Sequence, residues 1–119
     1  MSAEFAAWVT DALAPLGGVS ARRMFGGVGI FRDGLMFALI ADDRLHFKAD
    51  ASTSERYAAE GCGPFTYTAR ADRRTVMSYW AVPERLLDEP DELVDWAREA
   101  WAVALRAGQK KARGRRKDT

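Results

Sequence analysis

One histidine and one cysteine, His46 and Cys62, are the residues in this 119-residue chain best suited to nucleophilic, basic or soft-ligand chemistry. A cysteine nucleophile needs a base held against it. Cys62 stands between Gly61 and Gly63, a turn-like setting, and His46 is the sole imidazole available to it. Zinc sites usually draw on several His or Cys ligands, so no metal centre is expected. His46 alternates to the outward face of a short strand and reads as a solvated histidine. The carboxylates gather at Asp42-Asp43, a turn, and from Asp88 to Asp95, a helix start; neither grouping pairs an acid with a base. Phe25-Gly26-Gly27-Val28-Gly29 is as glycine-rich as a phosphate loop. It lacks the helix N-terminus and the Lys-Ser/Thr pair that such a loop needs. No catalytic residue, cofactor or metal is expected.

Charge is the other chemistry on offer. Arg22-Arg23 precede an aromatic-rich strand and suit a phosphate or a carboxylate; a solvated strand start is the plainer reading. The end of the chain holds Lys110, Lys111, Arg113, Arg115, Arg116 and Lys117 against Asp118 alone. That is six of the 18 basic residues and one of the 17 acidic ones, so the net charge of +1 conceals a mildly acidic body and a basic tail. A basic arm contacts nucleic acid through phosphates, without sequence preference and with steep salt dependence. No aromatic side chain interleaves this one, so base stacking is not expected.

The elements that would position these groups follow from spacing. The length suits one domain able to bury its own core. Hydrophobic content of 48% and charged content of 29% are ordinary for a globular protein. The start has no basic region of a secretory signal, and no apolar run reaches membrane-spanning length, so a cytoplasmic protein is expected. Phe5, Trp8, Val9, Ala12, Leu13 and Leu16 mark one face of a first helix. Pro15 distorts its last turn and Gly17-Gly18 stop it.

Three strands should follow, Met24 to Arg32, Leu35 to Ala41 and Arg44 to Lys48, joined by tight turns at Asp33-Gly34 and Asp42-Asp43. Gly26, Gly27 and Gly29 mark the first as bulged or crowded by another backbone. The second is apolar on both faces, with Leu35, Phe37, Leu39 and Ala41 one way and Met36, Ala38 and Ile40 the other. A one-sided antiparallel strand would alternate with polar residues. Something must cover the second face, and a protein partner or a second copy is the candidate. The residues assigned to that contact are Arg22, Arg23, Met36, Ile40, Tyr79 and Trp80.

A short helix through Glu60 is capped by Asp50 or Ser52. A second hairpin, Phe65 to Thr68 and Thr75 to Val82, turns around Ala71-Asp72-Arg73. Pro83 opens a helical turn with Leu86 and Leu87. A last helix starts at Glu89-Pro90 with Asp91 and Glu92 suiting its dipole. Leu93, Val94, Ala97, Ala100, Trp101, Ala104 and Leu105 form its buried stripe, with Trp96 and Val103 off it. Gly108 should end that helix. The domain is then 1–108, and 109–119 form a disordered basic tail. The fold class is α+β, in the order α-β3-α-β2-α with an antiparallel sheet.

Arg22-Arg23-Met24-Phe25-Gly26-Gly27, then Ile30-Phe31-Arg32-Asp33-Gly34, Met36-Phe37-Ala38-Leu39-Ile40 and Phe47-Lys48 resemble the N-terminal domain of the TfoX/Sxy competence-regulator family. Pro64-Phe65-Thr66-Tyr67, Met77-Ser78-Tyr79-Trp80 and Val82-Pro83-Glu84 continue the likeness, which spans about Phe5 to Ala107. Val28 departs from it, at a position where the family often has an aromatic. The resemblance implies a two-layer α/β sandwich similar to the secretion-chaperone class. It implies no catalytic residues and a non-enzymatic, regulatory role through protein partners. Full-length members co-regulate DNA-uptake genes with the cyclic-AMP receptor protein and carry a further C-terminal helical domain. A nucleic-acid accessory role through the basic tail is the alternative.

Overall fold

The structure is a computed structural model. It describes residues 2–24, 27–69 and 72–117, with the side chains at 2, 67–69, 72–75, 77 and 110–117 left aside. Helix α1, Ser2–Ala12, passes through a 3-10 turn at Ala14–Leu16. That turn is the distortion expected of Pro15, which cannot donate the helical hydrogen bond. Strands β1, Val19–Met24, β2, Gly27–Arg32, β3, Leu35–Ala41, and β4, Arg44–Lys48, follow. Helix α2, Ser54–Ala59, leads to β5, Pro64–Ala69, and β6, Asp72–Ala81. A second 3-10 turn, Glu84–Asp88, precedes helix α3, Pro90–Lys117.

All six strands form one antiparallel sheet in the order β1-β2-β3-β4-β6-β5. The α+β class and the antiparallel sheet are as expected. The strand count is not: β1 is an additional strand, and the run expected from Met24 begins instead at Gly27. Val19–Met24 contains three polar residues and lies at the sheet edge, where burial is too slight to leave an apolar signature. Gly27 explains the tight packing of β2 on β3. A Cβ there would lie 2.4 Å from the Ile40 carbonyl oxygen, the close approach of backbone that a strand glycine permits.

Both predicted turns are present. Asp33 and Gly34 have φ of 50° and 81°, Asp42 and Asp43 of 52° and 58°, the left-handed pair that two-residue hairpin loops require. Of the turn expected around Ala71-Asp72-Arg73, Ala71 lies outside the described residues, and Asp72 and Arg73 belong to β6.

Ile30 opposes Ala38 while Phe31 opposes Met36, so Phe37 is the extra residue of a β-bulge. The bulge resets the alternation of β3. Phe37, Ala38 and Ile40 all enter the core, and Leu35 packs against it. The expected split of Leu35, Phe37, Leu39 and Ala41 from Met36, Ala38 and Ile40 is therefore corrected. Helices gather on this side: Val9 and Leu13 of α1, Tyr57 of α2, and Leu93, Trp96 and Ala100 of α3 belong to the same cluster. Phe37 meets Trp101 edge-on at 6.1 Å, and Tyr57 meets Trp96 at 5.0 Å. Asp50 accepts from the Ser52 amide at 3.0 Å and from Arg106 of α3 at 2.9 Å. Hydrogen bonds from Ser52 and Arg106 hold its carboxyl down at about 2. Arg85 bridges Glu60 and Glu92, tying the second 3-10 turn to the end of α2 and the start of α3.

Three expectations on the helices are revised. Trp96 and Val103 are buried, while Trp8 and Leu105 are 43% and 41% exposed. Trp8 stacks flat on Phe5 at 6.1 Å instead of entering the core. Gly108 does not end α3, whose backbone stays helical through Lys117. A glycine within a helix costs about 1 kcal/mol, and the Ala, Leu, Arg, Gln and Lys residues around it are strong helix formers.

Candidate interaction surface

Register defines the sheet face turned away from the helices. Arg22, Gly29, Leu39, His46 and Ala81 oppose one another in one row across five strands. Phe31 and Met36 share the next row, and Lys48 opposes Tyr79. Gly29 is the pivot of this face. A Cβ on it would lie 2.9 Å from Phe31 Cε1 and 3.0 Å from both the Met24 and the Met36 sulfur. The ring and two thioethers fold down over the glycine and fill the space a side chain would have taken. Met24, Phe31, Met36 and Leu39 remain half-buried. Thioether side chains are flexible and polarizable, which suits them to surfaces that adapt to what they touch.

Cations cap the aromatic rings. The Arg22 guanidinium lies 4.8 Å from the Phe31 centroid, and the Lys48 ammonium 5.0 Å from that of Tyr79. Among the described residues, no carboxylate occupies these rows; Asp33, Asp42 and Asp43 sit in the turns at their ends.

His46 is on this face, yet it is only 6% exposed. The expectation of a solvated histidine is corrected. Its ring meets Phe65 of β5 at 5.0 Å, and its Nδ1 lies 3.1 Å from the Arg44 carbonyl oxygen. Loss of water around the ring pulls its pKa below the ordinary 6.5. Beside it opens a shallow recess of about 230 Å3 lined by Asp42, Arg44, His46, Pro64 and Phe65. Cys62, by contrast, is held between core and solvent, and burial pushes its thiol up, away from the thiolate a nucleophile requires.

Of the residues assigned to a partner contact, Arg22 and Met36 are on this face, and so is Tyr79, whose hydroxyl is pushed up to about 12 by burial. Arg23 is exposed but alternates to the other side of the edge strand. Ile40 and Trp80 are not on it. Ile40 is 1% exposed inside the core because the Phe37 bulge turned it inward, and Trp80 packs toward Tyr57 at 6.5 Å. Sequence reasoning missed Met24, Phe31, Leu39 and Lys48. The Asp33-Gly34 turn carried the signal for Phe31: a two-residue loop places Arg32 opposite Leu35 and hence Phe31 opposite Met36. The side chains of Lys110, Lys111, Arg113, Arg115, Arg116 and Lys117 lie outside the described residues.

Fold and surface together define a small antiparallel α+β domain with a Met- and aromatic-rich sheet face. Among the described residues there is no metal-ligating cluster, and no helix is long and apolar enough to cross a membrane. The family model of the TfoX N-terminal domain matches residues 11–104, and the chain belongs to that family, a competence-related one. Over 85 residues it is 34% identical to the DNA transformation protein TfoX1 of Aliivibrio fischeri, a stretch covering 71% of this chain and 40% of that protein. The chain thus spans less than half the length of that relative.

Proposed function

We propose that this domain is a non-enzymatic interaction module of the competence-related regulators, acting in the cytoplasm on transcription through a protein that docks on the outer sheet face. One observation carries the reading: Met24, Phe31, Met36 and Leu39 form a half-exposed apolar surface on the side of the sheet opposite the helix-packed core. Contiguous exposed apolar surface marks contact sites on folded proteins. Membership of the TfoX N-terminal domain family supports a regulatory rather than a catalytic role.

The test places a photo-crosslinking amino acid at Met36 and, separately, at exposed Glu55 of α2, in the intact protein inside its native host. Capture of a defined protein from position 36 and not from 55 is the expected result. Equal capture from both positions, or none from 36, overturns the reading.

A second reading rests on the six basic residues of Lys110–Lys117, which the helical backbone of α3 carries in its last turns. If that segment is a nucleic-acid arm, deleting 109–119 abolishes duplex DNA binding at low salt. Unchanged binding by the shortened chain removes it.

A further inference from the structure

We infer that the edge strand β1 takes an extended acidic segment of another protein as an added strand of the sheet. This surface is separate from the outer face, and the inference does not depend on docking there. Its first support is a contrast between the two edges of the sheet. At one edge, β5 starts on Pro64 and slips register against β6 between Pro64 and Phe65. A proline and a bulge are devices that keep an edge from pairing further. At the other edge, β1 has neither. Val19 to Met24 pair with Arg32 to Gly27 in unbroken register, and four of the six residues are exposed. Among the described residues, no backbone hydrogen bond joins β1 to anything but β2. Alternate amides and carbonyls of a regular strand therefore face outward unpaired, the template on which an extended peptide adds. Gly17 stands just ahead of β1, and a Cβ on it would meet nothing within 4 Å, so an added strand has open space past the Val19 end.

The second support is charge. Arg22 and Arg23 are successive residues of β1, so their side chains leave the strand on opposite faces. Among the described residues neither makes an ion pair, whereas Arg44, Arg56, Arg85 and Arg106 each do. Arg22 rests on Phe31 at 4.8 Å, which holds its guanidinium beside the edge with its N–H donors free of any acid. An added strand places one residue directly opposite each arginine, where unlike charges attract and like charges repel. Two consecutive acidic residues answer both arginines at once, one on each face. The residues flanking that pair then lie opposite Met24 and Ala21, which suits an apolar and a small side chain. A second copy of β1 does not fit: Val19-Ser20-Ala21-Arg22-Arg23-Met24 holds no acid, so self-pairing only gathers arginines. A phosphate backbone answers the arginines but offers no ladder of donors and acceptors at strand spacing.

The test uses the full chain and a displayed library of random short peptides. Peptides enriched over an unrelated protein are synthesised and titrated against isotope-labelled protein. The expected pool is net negative with two consecutive acidic residues. Its members shift the amide signals of Val19–Met24 and slow the exchange of alternate amides there. Arg22→Glu together with Arg23→Glu weakens them about tenfold or more. N-methylation of alternate peptide residues abolishes binding in one phase and spares it in the other, as strand pairing requires. The double variant changes two exposed side chains and is checked for a native spectrum.

No enrichment, or peptides that leave the β1 amides unmoved, would overturn the inference. So would equal effects of the two N-methylation phases, which would mean side-chain contact without strand pairing. Neutral or basic peptides that protect the same amides would overturn the acidic occupant. A rise to dimer mass on light scattering, with these amides protected, would replace the segment with a second copy. Oligothymidylate that shifts them and displaces the peptides would replace it with nucleic acid. Cross-linking from position 36 reads the outer face, so its outcome stands apart from all of these.

Discussion

On the helix side of the sheet, Phe37 meets the edge of Trp101 at 6.1 Å and is fully enclosed. On the other side, Phe31 and two methionine sulfurs lie over Gly29 with solvent above them. Both faces are apolar, and strand β3 feeds both. They differ in how the side chains are held. The core face interlocks rings and branched chains from three helices, so each has one place to be. The outer face is tiled with thioethers and cation-capped rings that can rearrange at small cost. Apolar content alone therefore does not distinguish the two faces; the stiffness of their side chains does.

The comparison is broken hardest at Phe37. Phe37→Ala removes a fully buried ring and leaves a cavity that the bulge cannot close, and it should cost about 3–5 kcal/mol in chemical denaturation. Met36→Ala, one residue away on the open face, should cost about 1 kcal/mol or less, because its side chain is half in water already. Comparable losses at both positions would show that the outer face is as tightly built as the core.

Two glycines sharpen it further. Gly27→Ala drives a methyl to 2.4 Å from the Ile40 carbonyl, a backbone atom that cannot move without disturbing the ladder. A loss of about 3 kcal/mol is expected. Gly29→Ala meets a ring edge and two thioether sulfurs at 2.9 and 3.0 Å, and the thioethers can swing away. It should cost about 1 kcal/mol or less while displacing the Met24 and Met36 methyl resonances. Gly29→Ala as damaging as Gly27→Ala would mean that the outer face has no freedom to adapt.

Much of this arrangement was legible in the residues. The Asp33-Gly34 and Asp42-Asp43 turns fixed two hairpins, and the 3.6-residue spacing located α1 and α3, although it left Trp96 and Val103 off the buried stripe of α3 and put Leu105 on it. The two-sided apolar character of Leu35–Ala41 matches a strand with side chains in the core and on the half-buried outer face. Arg23 and Trp80 were misassigned because each directly follows a residue of that face, and successive strand residues alternate. On β3 the assignment failed at Ile40 for another reason. A bulge inserts a residue without any local sequence mark, and after Phe37 every side chain of β3 changes sides. Ile40 was lost from the face and Leu39 gained by that single step. The edge strand Val19–Met24 escaped notice because four of its six residues are exposed and carry no alternation. His46 escaped because its burial comes from Phe65, a residue 19 positions on that only the β4–β6–β5 neighbourhood brings near.

The smallest expected effect separates the two faces by acid. His46 is the one histidine in the chain, and it sits on the outer face, so protonation there reports on that face alone. Its folded pKa is lowered from 6.5, first by burial and then by the Arg44 charge, against Asp42 and the nearby backbone carbonyls, which act to raise it. Below pH 6.5 the unfolded chain therefore binds more protons than the folded one. Stability carried by neutral His46 is complete above that pH and declines as pH falls through the lower folded value. His46→Gln, which cannot take up a proton, should flatten the unfolding free energy over that interval, while Phe37→Ala shifts the whole curve down without changing its slope. If the wild-type curve is already flat there, or if His46→Gln leaves the slope untouched, His46 is solvated after all. The recess beside Phe65 is then open to water, and that corner of the outer face is looser than the contact at 5.0 Å implies.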